Sequence, residues 1–255
     1  MRKSFFILVF ALLAAFCGQA QQSAKVNLKK LGNTLRSMNL QPTGDWGCMQ
    51  NELLIVCDTN KSTSRHVGLV DLDGRIVLPA QYNWVSFMGN SGLVRASIYD
   101  SVSDALLEGL LLRVGPAEWA WAVPPILEPD YLDEYEELGR AYSFPLVVDG
   151  YVDTDDLENS EMRMGLIDSL GNWLMPMDFE DLFLIDASHH LVETSEGICN
   201  YQQQRYLLSN VRYMGDDAGL MRVYDKCTES VGLADMGGAG WSSRSMAKSS
   251  TRRTG

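Results

Sequence analysis

The sequence lacks the motifs that mark the common enzyme classes. It contains no HExxH, GxSxG, GxGxxG or phosphate-binding loop, and only three histidines in 255 residues. The neighbours His189 and His190 would point to opposite faces of a strand, so they are not expected to share a metal ion. Paired carboxylates, which sugar hydrolases use, can always be found in so acidic a chain and therefore discriminate nothing. The sequence predicts a protein that is not an enzyme.

Positive charge is also scarce. Lys and Arg number 21 against 33 Asp and Glu, which gives a formal net charge of −12 at pH 7. Nucleic acids and anionic membrane surfaces both favour basic proteins. Neither is therefore expected as a partner.

Long apolar runs are absent except near the N-terminus. A basic start precedes an apolar run from Phe5 to Phe16, whose 12 residues are too few to cross a bilayer. With small residues up to Ala20, the pattern predicts a signal peptide over residues 1–20 and Gln21 as the first mature residue. A lipoprotein anchored at Cys17 is the alternative, but a bulky Phe precedes that cysteine. We expect a secreted, periplasmic or cell-surface protein without a transmembrane segment after cleavage.

Cysteine is infrequent, and no two cysteines form a CxxC pair. A zinc ribbon and a thioredoxin-type site are therefore not supported. Four cysteines follow the signal peptide, and an oxidising compartment favours their pairing. Cys48 and Cys57 flank one predicted hairpin, whereas Cys199 and Cys227 lie at the first and last strands of one repeat. Of the three possible connectivities, we expect these two local disulfides.

What the sequence does contain is a repeated pattern. Three stretches begin Gly-Leu-x-Asp and place another Gly three residues after the Asp: they start at Gly68, Gly165 and Gly232. This spacing predicts a type I turn, with Asp capping backbone amides at its first position and a left-handed Gly at its fourth. In the first two copies a Pro stops the second strand, and Tyr82 or Phe179 follows three residues later.

Two weaker copies, starting near Gly109 and Gly197, complete the series. The five starts are 32 to 56 residues apart, a range typical of repeat arrays in which stacked neighbours supply the core. Further apolar strands accompany the copies, such as GLVRAS at residues 92–97. The predicted fold class is all-β: an array of short antiparallel hairpin or meander repeats, either solenoid-like or an incomplete propeller.

The combination of Gly-Leu-Ile/Val-Asp, Gly, an apolar pair, Pro, an aromatic and a Gly-Leu-Val strand resembles the WG-repeat (WG-containing repeat) family of bacterial proteins. The resemblance covers residues 44–238 and is best at 66–97 and 165–195. The Trp that names the family precedes Gly only at Trp46, so the copies are divergent. The family implies a β-rich repeat module, often secreted or at the cell surface, without an assigned catalytic activity.

Three further segments lie outside the repeat pattern. Residues 21–43 are a lead-in. An acidic, partly helical insertion is predicted at 128–161, where twelve acidic side chains accompany the single Arg140. Residues 239–255 are basic and rich in serine, which predicts a disordered tail. Since the fifth copy then lacks its continuation, we expect an unpaired edge strand there.

The acidic insertion is also a candidate calcium site. Ca²⁺ takes six to eight oxygen ligands and is available outside the cell. The candidate ligands are Asp153, Asp155, Asp156 and Glu158. The loop lacks the EF-hand order, so a solvated acidic loop is the alternative, and no other cofactor is expected.

Aromatic side chains are the remaining candidates for ligand contacts, because exposed Trp and Tyr stack on sugars and proteins. Trp121 and Trp173 occupy the repeat position of Ile76 in the first copy, which predicts that both pack in the core. The candidate ligand-binding residues are Trp119, expected to be exposed, with Tyr131 and Tyr135 of the insertion.

These patterns predict a binding or scaffolding module with a protein or glycan partner at the bacterial cell envelope. The alternative is a secreted carbohydrate-binding or weakly carbohydrate-active protein.

Overall fold

The structure is a computed structural model that describes residues 28–43, 49–60, 66–89, 91–101, 104–127, 143–153, 160–238 and 242–244. The described residues form one helix and several antiparallel sheets, none of them closed, which confirms the predicted all-β class. No helix in these ranges is long and apolar enough to cross a membrane. The chain divides into two compact units, residues 1–129 and 130–255.

The first unit opens with helix α1 (Leu28–Ser37), in the segment predicted only as a lead-in. The first sheet has the antiparallel order β1-β3-β4-β5, with β2 also paired to β3. Its strands are β1 (Leu40–Pro42), β2 (Met49–Gln50), β3 (Leu53–Asp58), β4 (Val67–Asp71) and β5 (Ile76–Tyr82). Leu31 and Leu35 of α1 pack against Leu54, Val56 and Val70. The helix therefore covers one face of the first sheet, as the capping element of a repeat array does.

The other face of the first sheet packs on four further antiparallel strands of this unit. They are β6 (Trp84–Phe87), β7 (Leu93–Asp100), β8 (Ala105–Gly115) and β9 (Glu118–Leu127). Leu69 and Val77 of the first sheet share a core with Val85, Val94 and Leu111 of these strands. Stacking of successive layers thus supplies the core, because a single sheet buries little by itself.

The second unit repeats this layered arrangement. It contains β10 (Leu146–Tyr151), β11 (Met162–Ile167), β12 (Trp173–Phe179), β13 (Leu182–Asp186), β14 (Leu191–Thr194), β15 (Gly197–Asn200), β16 (Arg205–Ser209), β17 (Val211–Asp217), β18 (Leu220–Asp225), β19 (Ser230–Ala234) and β20 (Ser242–Arg244). The strands β13 to β16 form one four-stranded antiparallel sheet and β17 to β20 another. One core joins β10–β12 to the first of these sheets, and a second core joins the two four-stranded sheets.

The sequence repeat is offset from the sheets. All five predicted repeat starts lie within strands: β4, β8, β11, β15 and β19. The accompanying apolar strand of one copy pairs with the hairpin of the next, since β7 pairs with β8, β14 with β15 and β18 with β19. Backbone hydrogen bonds therefore link consecutive copies within each sheet.

The predicted Asp-Gly turns are present. The amide of Gly74 donates to the carbonyl of Asp71 at 2.9 Å, and Gly74 has φ +83°. Asp71 Oδ1 also accepts hydrogen bonds from the amides of Asp73 and Arg75, at 3.0 and 2.8 Å. The turns at Asp168 and Asp235 have the same carbonyl-to-Gly hydrogen bond, at 3.0 Å in each. The spacing of Asp and Gly alone thus predicted the local geometry.

Two predicted segments need correction. Residues 146–151, inside the predicted insertion, form strand β10, because Leu146, Val147 and Val148 are buried apolar residues amid acidic neighbours. The predicted helical part of the insertion lies outside the described residues. In the tail predicted to be disordered, β20 pairs with β19, so the edge expected to be unpaired has a partner strand.

Candidate binding surface

Three hairpins of the chain share one irregular register. In β4–β5, Val67 pairs with Tyr82, Leu69 with Leu78 and Val70 with Ile76, so the second strand carries extra residues on both sides of Leu78. A proline in this strand cannot donate a ladder hydrogen bond, which suits a bulge. The hairpins β8–β9 and β11–β12 repeat the pattern with the pairs Glu108–Leu127, Leu110–Val123 and Leu111–Trp121, and Met164–Phe179, Leu166–Met175 and Ile167–Trp173. The three hairpins therefore have the same structure, repeated along the chain.

The bulge explains the glycine that opens each copy. A Cβ on Gly68 would lie 2.4 Å from the carbonyl oxygen of Leu78, because the bulged strand passes very close to it. In the next two hairpins a tryptophan ring lies over the glycine. A Cβ on Gly109 would lie 2.7 Å from Trp121 Cζ3, and one on Gly165 would lie 2.5 Å from Trp173 Cζ3. The missing side chain thus makes room for the strand and for the ring.

Trp121 and Trp173 are exposed, so the prediction that they pack in the core is wrong. Each has 37% of its surface exposed, and Ile76, at the same repeat position, has 49%. One side of each ring covers the repeat glycine and leaves the remainder at the surface. The Trp121 ring also meets Tyr82 edge to face, with ring centroids 6.1 Å apart. These contacts hold a large aromatic surface in a defined position.

Trp119, predicted to be exposed for ligand binding, has a different place. Its ring is half-buried and packs against the core of the first unit. Its indole Nε1 donates a hydrogen bond of 3.1 Å to the carbonyl oxygen of Val77 on β5. Trp119 therefore connects two successive layers, a tertiary contact that its strand position alone does not reveal.

The other predicted ligand residues fall mostly outside the described ranges. Tyr131, Tyr135, Asp155, Asp156 and Glu158 all lie there. The exposed Asp153 is described, and its amide donates to Ser160 Oγ at 2.8 Å. Within the described part of the chain, no three His, Cys, Asp or Glu side chains converge on a possible metal position.

The predicted disulfide between Cys199 and Cys227 does not form. Cys199 is a buried free thiol on β15, and burial raises its pKa. Cys227 is an exposed free thiol in the turn after β18. Cys199 lies in the sheet β13–β16, whereas Cys227 lies in the turn that joins β18 to β19 of the next sheet, because one copy spans parts of two sheets. Cys57 is also a free thiol, and its predicted partner Cys48 lies outside the described residues.

The turn after β13 brings a serine, a histidine and an aspartate together. His189 Nδ1 lies 3.0 Å from Asp186 Oδ2 and 3.1 Å from Ser188 Oγ. In a catalytic triad, the carboxylate and the hydroxyl contact different ring nitrogens. Here both contact the same nitrogen, so the group is a turn cap and not a proton relay. His190, in the same turn and not on a strand as expected, contacts the Tyr201 hydroxyl instead, at 3.2 Å.

The cap gives this turn a pH dependence. Hydrogen bonds from Ser188 and His189 hold the pKa of Asp186 well below its usual range. Its ionised form therefore stabilises the fold above the unfolded pKa of about 4, and this stability is lost as pH falls. We expect Asp186→Asn to cost about 1 kcal/mol at neutral pH and progressively less in acid. Denaturant unfolding from pH 7 to pH 3 tests this. Asp217→Asn, at an exposed position on β17, is the control, and a loss equal at every pH would contradict the expectation.

One charged pair was not found from the sequence. Arg95 on β7 is 1% exposed and forms an ion pair with Glu108 on β8, which is 4% exposed. Both belong to strands identified by their apolar pattern, and a charge inside such a strand was the available signal. Ser86 and Ser97 are the cross-strand partners of Arg95 and Glu108, respectively, and both are buried. Since neither charge reaches the surface, each depends on the other for compensation of its charge.

Comparison with known protein families finds a match that includes the first bulged hairpin. Residues 68–101 match the family described as WG containing repeat. The matched segment runs from β4 to the end of β7, so it contains the hairpin whose register β8–β9 and β11–β12 repeat. No curated protein and no solved structure matches the chain. The resemblance identified from the sequence is confirmed: the chain carries a WG containing repeat at residues 68–101.

Proposed function

We propose that this chain is a non-enzymatic binding or scaffolding module, exported to the bacterial cell envelope, that contacts its partner through the tryptophans of its bulged hairpins. The supporting observation is the shared register, which leaves Trp121 and Trp173 exposed at one repeat position. Tryptophan is enriched among residues that dominate binding energy, since one side chain supplies a large apolar contact. Trp121 is held by a bulged hairpin of the first unit and Trp173 by one of the second.

The fixed position of the rings supports this role. Trp121 is held by Gly109 below it and Tyr82 beside it, so little rotamer freedom remains to be lost on binding. A side chain ordered before the partner arrives costs less on association than a mobile one. The exposed part of each ring is therefore suited to ligand contact, whereas the half-buried Trp119 is committed to packing.

Export is supported by the N-terminal sequence. Two basic residues followed by an apolar run and small residues form the pattern of a cleavable signal peptide. The acidic composition favours partners that are not nucleic acids. Protein from the envelope fraction of its own cells is expected to have the intact mass of a chain starting at Gln21.

A glycan is the second candidate partner. The partial exposure of Trp121 and Trp173, each 37%, favours it, since sugar rings stack on aromatic side chains. Stacking of this kind depends little on salt, whereas a contact to the acidic surface weakens as salt rises.

The test is a double variant, Trp121→Ala with Trp173→Ala. Immobilised wild-type and variant chains are compared for capture of envelope proteins and, separately, for retention of glycans on an array. We expect capture to fall about tenfold or more, the usual effect of removing central aromatic contacts. Tyr99→Ala is the matched control, because Tyr99 is 53% exposed but lies outside this repeat position. Equal capture by all three chains would reject the proposal, and loss on the glycan array alone would select the glycan.

A further inference from the structure

The last sheet, β17–β20, has one face that the described residues leave uncovered. Met221 and Val223 of β18 and Ala234 of β19 pack into the core shared with the preceding sheet. Because side chains alternate along a strand, Arg222, Tyr224 and Leu233 point to the opposite face.

On this opposite face Tyr224 pairs with Val231, and Arg222 pairs with Leu233. We call this surface, formed by Leu220, Arg222, Tyr224, Val231 and Leu233, the terminal face.

The same position is fully buried in every earlier copy. The residue after the repeat glycine is 0% exposed at Leu69, Leu110, Leu166 and Ile198. Leu69 and Ile198 pack on strands of the layer that follows their own, β6–β7 and β17–β18 respectively. Leu233, the corresponding residue of the last copy, is only half-buried. The terminal face is therefore the face that a following layer covers elsewhere.

The accompanying strands show the same difference. Leu93 and Leu191, at equivalent positions of β7 and β14, are 1% and 0% exposed. Leu220, the equivalent residue of β18, is half-buried. The positions of Leu233 and Leu220 thus both correspond to positions that a following layer buries in the earlier copies.

A charged residue stands two positions after the leucine in each of these three strands. Arg95 of β7 forms an ion pair with Glu108 of β8, the neighbouring strand of the same sheet, so its countercharge does not come from the following layer. Glu193 of β14 is half-buried, and burial raises its pKa, while the positive charges of Arg212 on β17 and Lys226 in the turn after β18 act in the opposite direction. The third member, Arg222, is exposed and donates to the carbonyl oxygen of Met214, and none of the described carboxylates forms an ion pair with it. The partner of this face is therefore expected to be apolar and to carry a carboxylate.

We propose that the terminal face binds a second copy of this chain, through the acidic segment 128–142 of that copy. The segment contains six acidic side chains and Arg140, together with three tyrosines and two leucines, so it supplies both apolar contacts and carboxylates. Two terminal faces packed on each other would instead bring the two Arg222 side chains, which carry the same charge, into one interface. A face that binds a different surface of the next copy gives head-to-tail association.

This association differs from the proposed partner binding, which uses Trp121 and Trp173, so either can fail without the other. Sedimentation velocity on the chain without residues 1–20 tests it. The sedimentation coefficient is expected to rise with protein concentration and to do so less in high salt. Arg222→Glu and Leu233→Asp are each expected to weaken self-association about tenfold or more.

Matched controls separate the interface from general effects. Arg205→Glu makes the same charge change at an exposed residue of β16, and Val114→Asp replaces an exposed apolar residue of the first unit. Both control variants are expected to associate like the wild type. A synthetic peptide of residues 128–142 is expected to dissociate the assembly, and the same peptide with Asn and Gln in place of its acids is not. A monomer at every concentration, association that survives Arg222→Glu, or a peptide without effect would each overturn the proposal.

Discussion

Replacing Arg95 with Met is expected to destabilise the first unit by about 3–5 kcal/mol, the usual cost of leaving one member of a buried ion pair without its partner. Arg95 and Glu108 are 1% and 4% exposed, so water cannot compensate the carboxylate once the guanidinium is gone. The free energy of unfolding in denaturant, followed by circular dichroism, measures this loss.

A double variant separates the ion pair from simple packing. Arg95→Met combined with Glu108→Leu removes both charges and is expected to recover most of the loss, since apolar replacements of buried pairs are often neutral or stabilising. Arg75→Met is the control: Arg75 forms ion pairs with Asp71 and Asp73, but its side chain is 78% exposed, and surface pairs contribute about 0–1 kcal/mol. If Arg95→Met costs no more than Arg75→Met, the buried pair is not a source of stability.

Gly68→Ala is expected to destabilise the first hairpin by about 1–3 kcal/mol or more, the range found for overpacked cores. The new methyl would lie 2.4 Å from the carbonyl oxygen of Leu78 and 2.7 Å from the amide nitrogen of Ala80. Both are backbone atoms of the bulged strand, so a side-chain rotation cannot relieve the contact. The melting midpoint and the denaturant midpoint measure the effect.

Two other glycines serve as comparisons. Gly92→Ala places its methyl 3.5 Å from Leu112 Cδ1, an ordinary contact, and is expected to leave stability unchanged. Gly165→Ala brings its methyl to 2.5 Å from Trp173 Cζ3, so it is expected to displace that ring and raise its exposure. Tryptophan fluorescence that responds to Gly165→Ala but not to Gly92→Ala would support the stacked geometry. Equal stability of the Gly68→Ala, Gly92→Ala and Gly165→Ala variants would contradict the expectation that the bulged strand leaves no room for a side chain at Gly68 and Gly165.

Local spacing allowed much of the fold to be predicted. The Asp-x-x-Gly turns and the strands around them depend on residues within about ten positions of one another, where turn chemistry and alternation act. The match to the WG containing repeat at residues 68–101 includes the first of these turns, at Asp71 and Gly74. Strand β10 was missed because its short apolar run is surrounded by acidic residues, whose composition dominated the prediction for that segment.

The candidate site was less predictable, because exposure is a tertiary property. Trp121 and Trp173 were expected in the core, yet each is 37% exposed, and Trp119, expected at the surface, is half-buried. The bulge shifts the strand register by one residue where Trp121 pairs with Leu111 and where Trp173 pairs with Ile167. A register shift changes the neighbours of a side chain and therefore its exposure. Trp119 is half-buried because β5 of the neighbouring layer passes its indole and offers the Val77 carbonyl.

The sequence by itself determined the strand pattern, the turns, the WG containing repeat at residues 68–101 and the acidic character, since each follows from neighbouring residues or from composition. Only the tertiary structure decided which residues cover which. The stacking of layers buried Arg95 beside Glu108, placed Cys199 in one sheet and Cys227 in a turn of the next, and left the terminal face half-exposed. These outcomes depend on contacts between residues far apart in the chain, which no local pattern encodes.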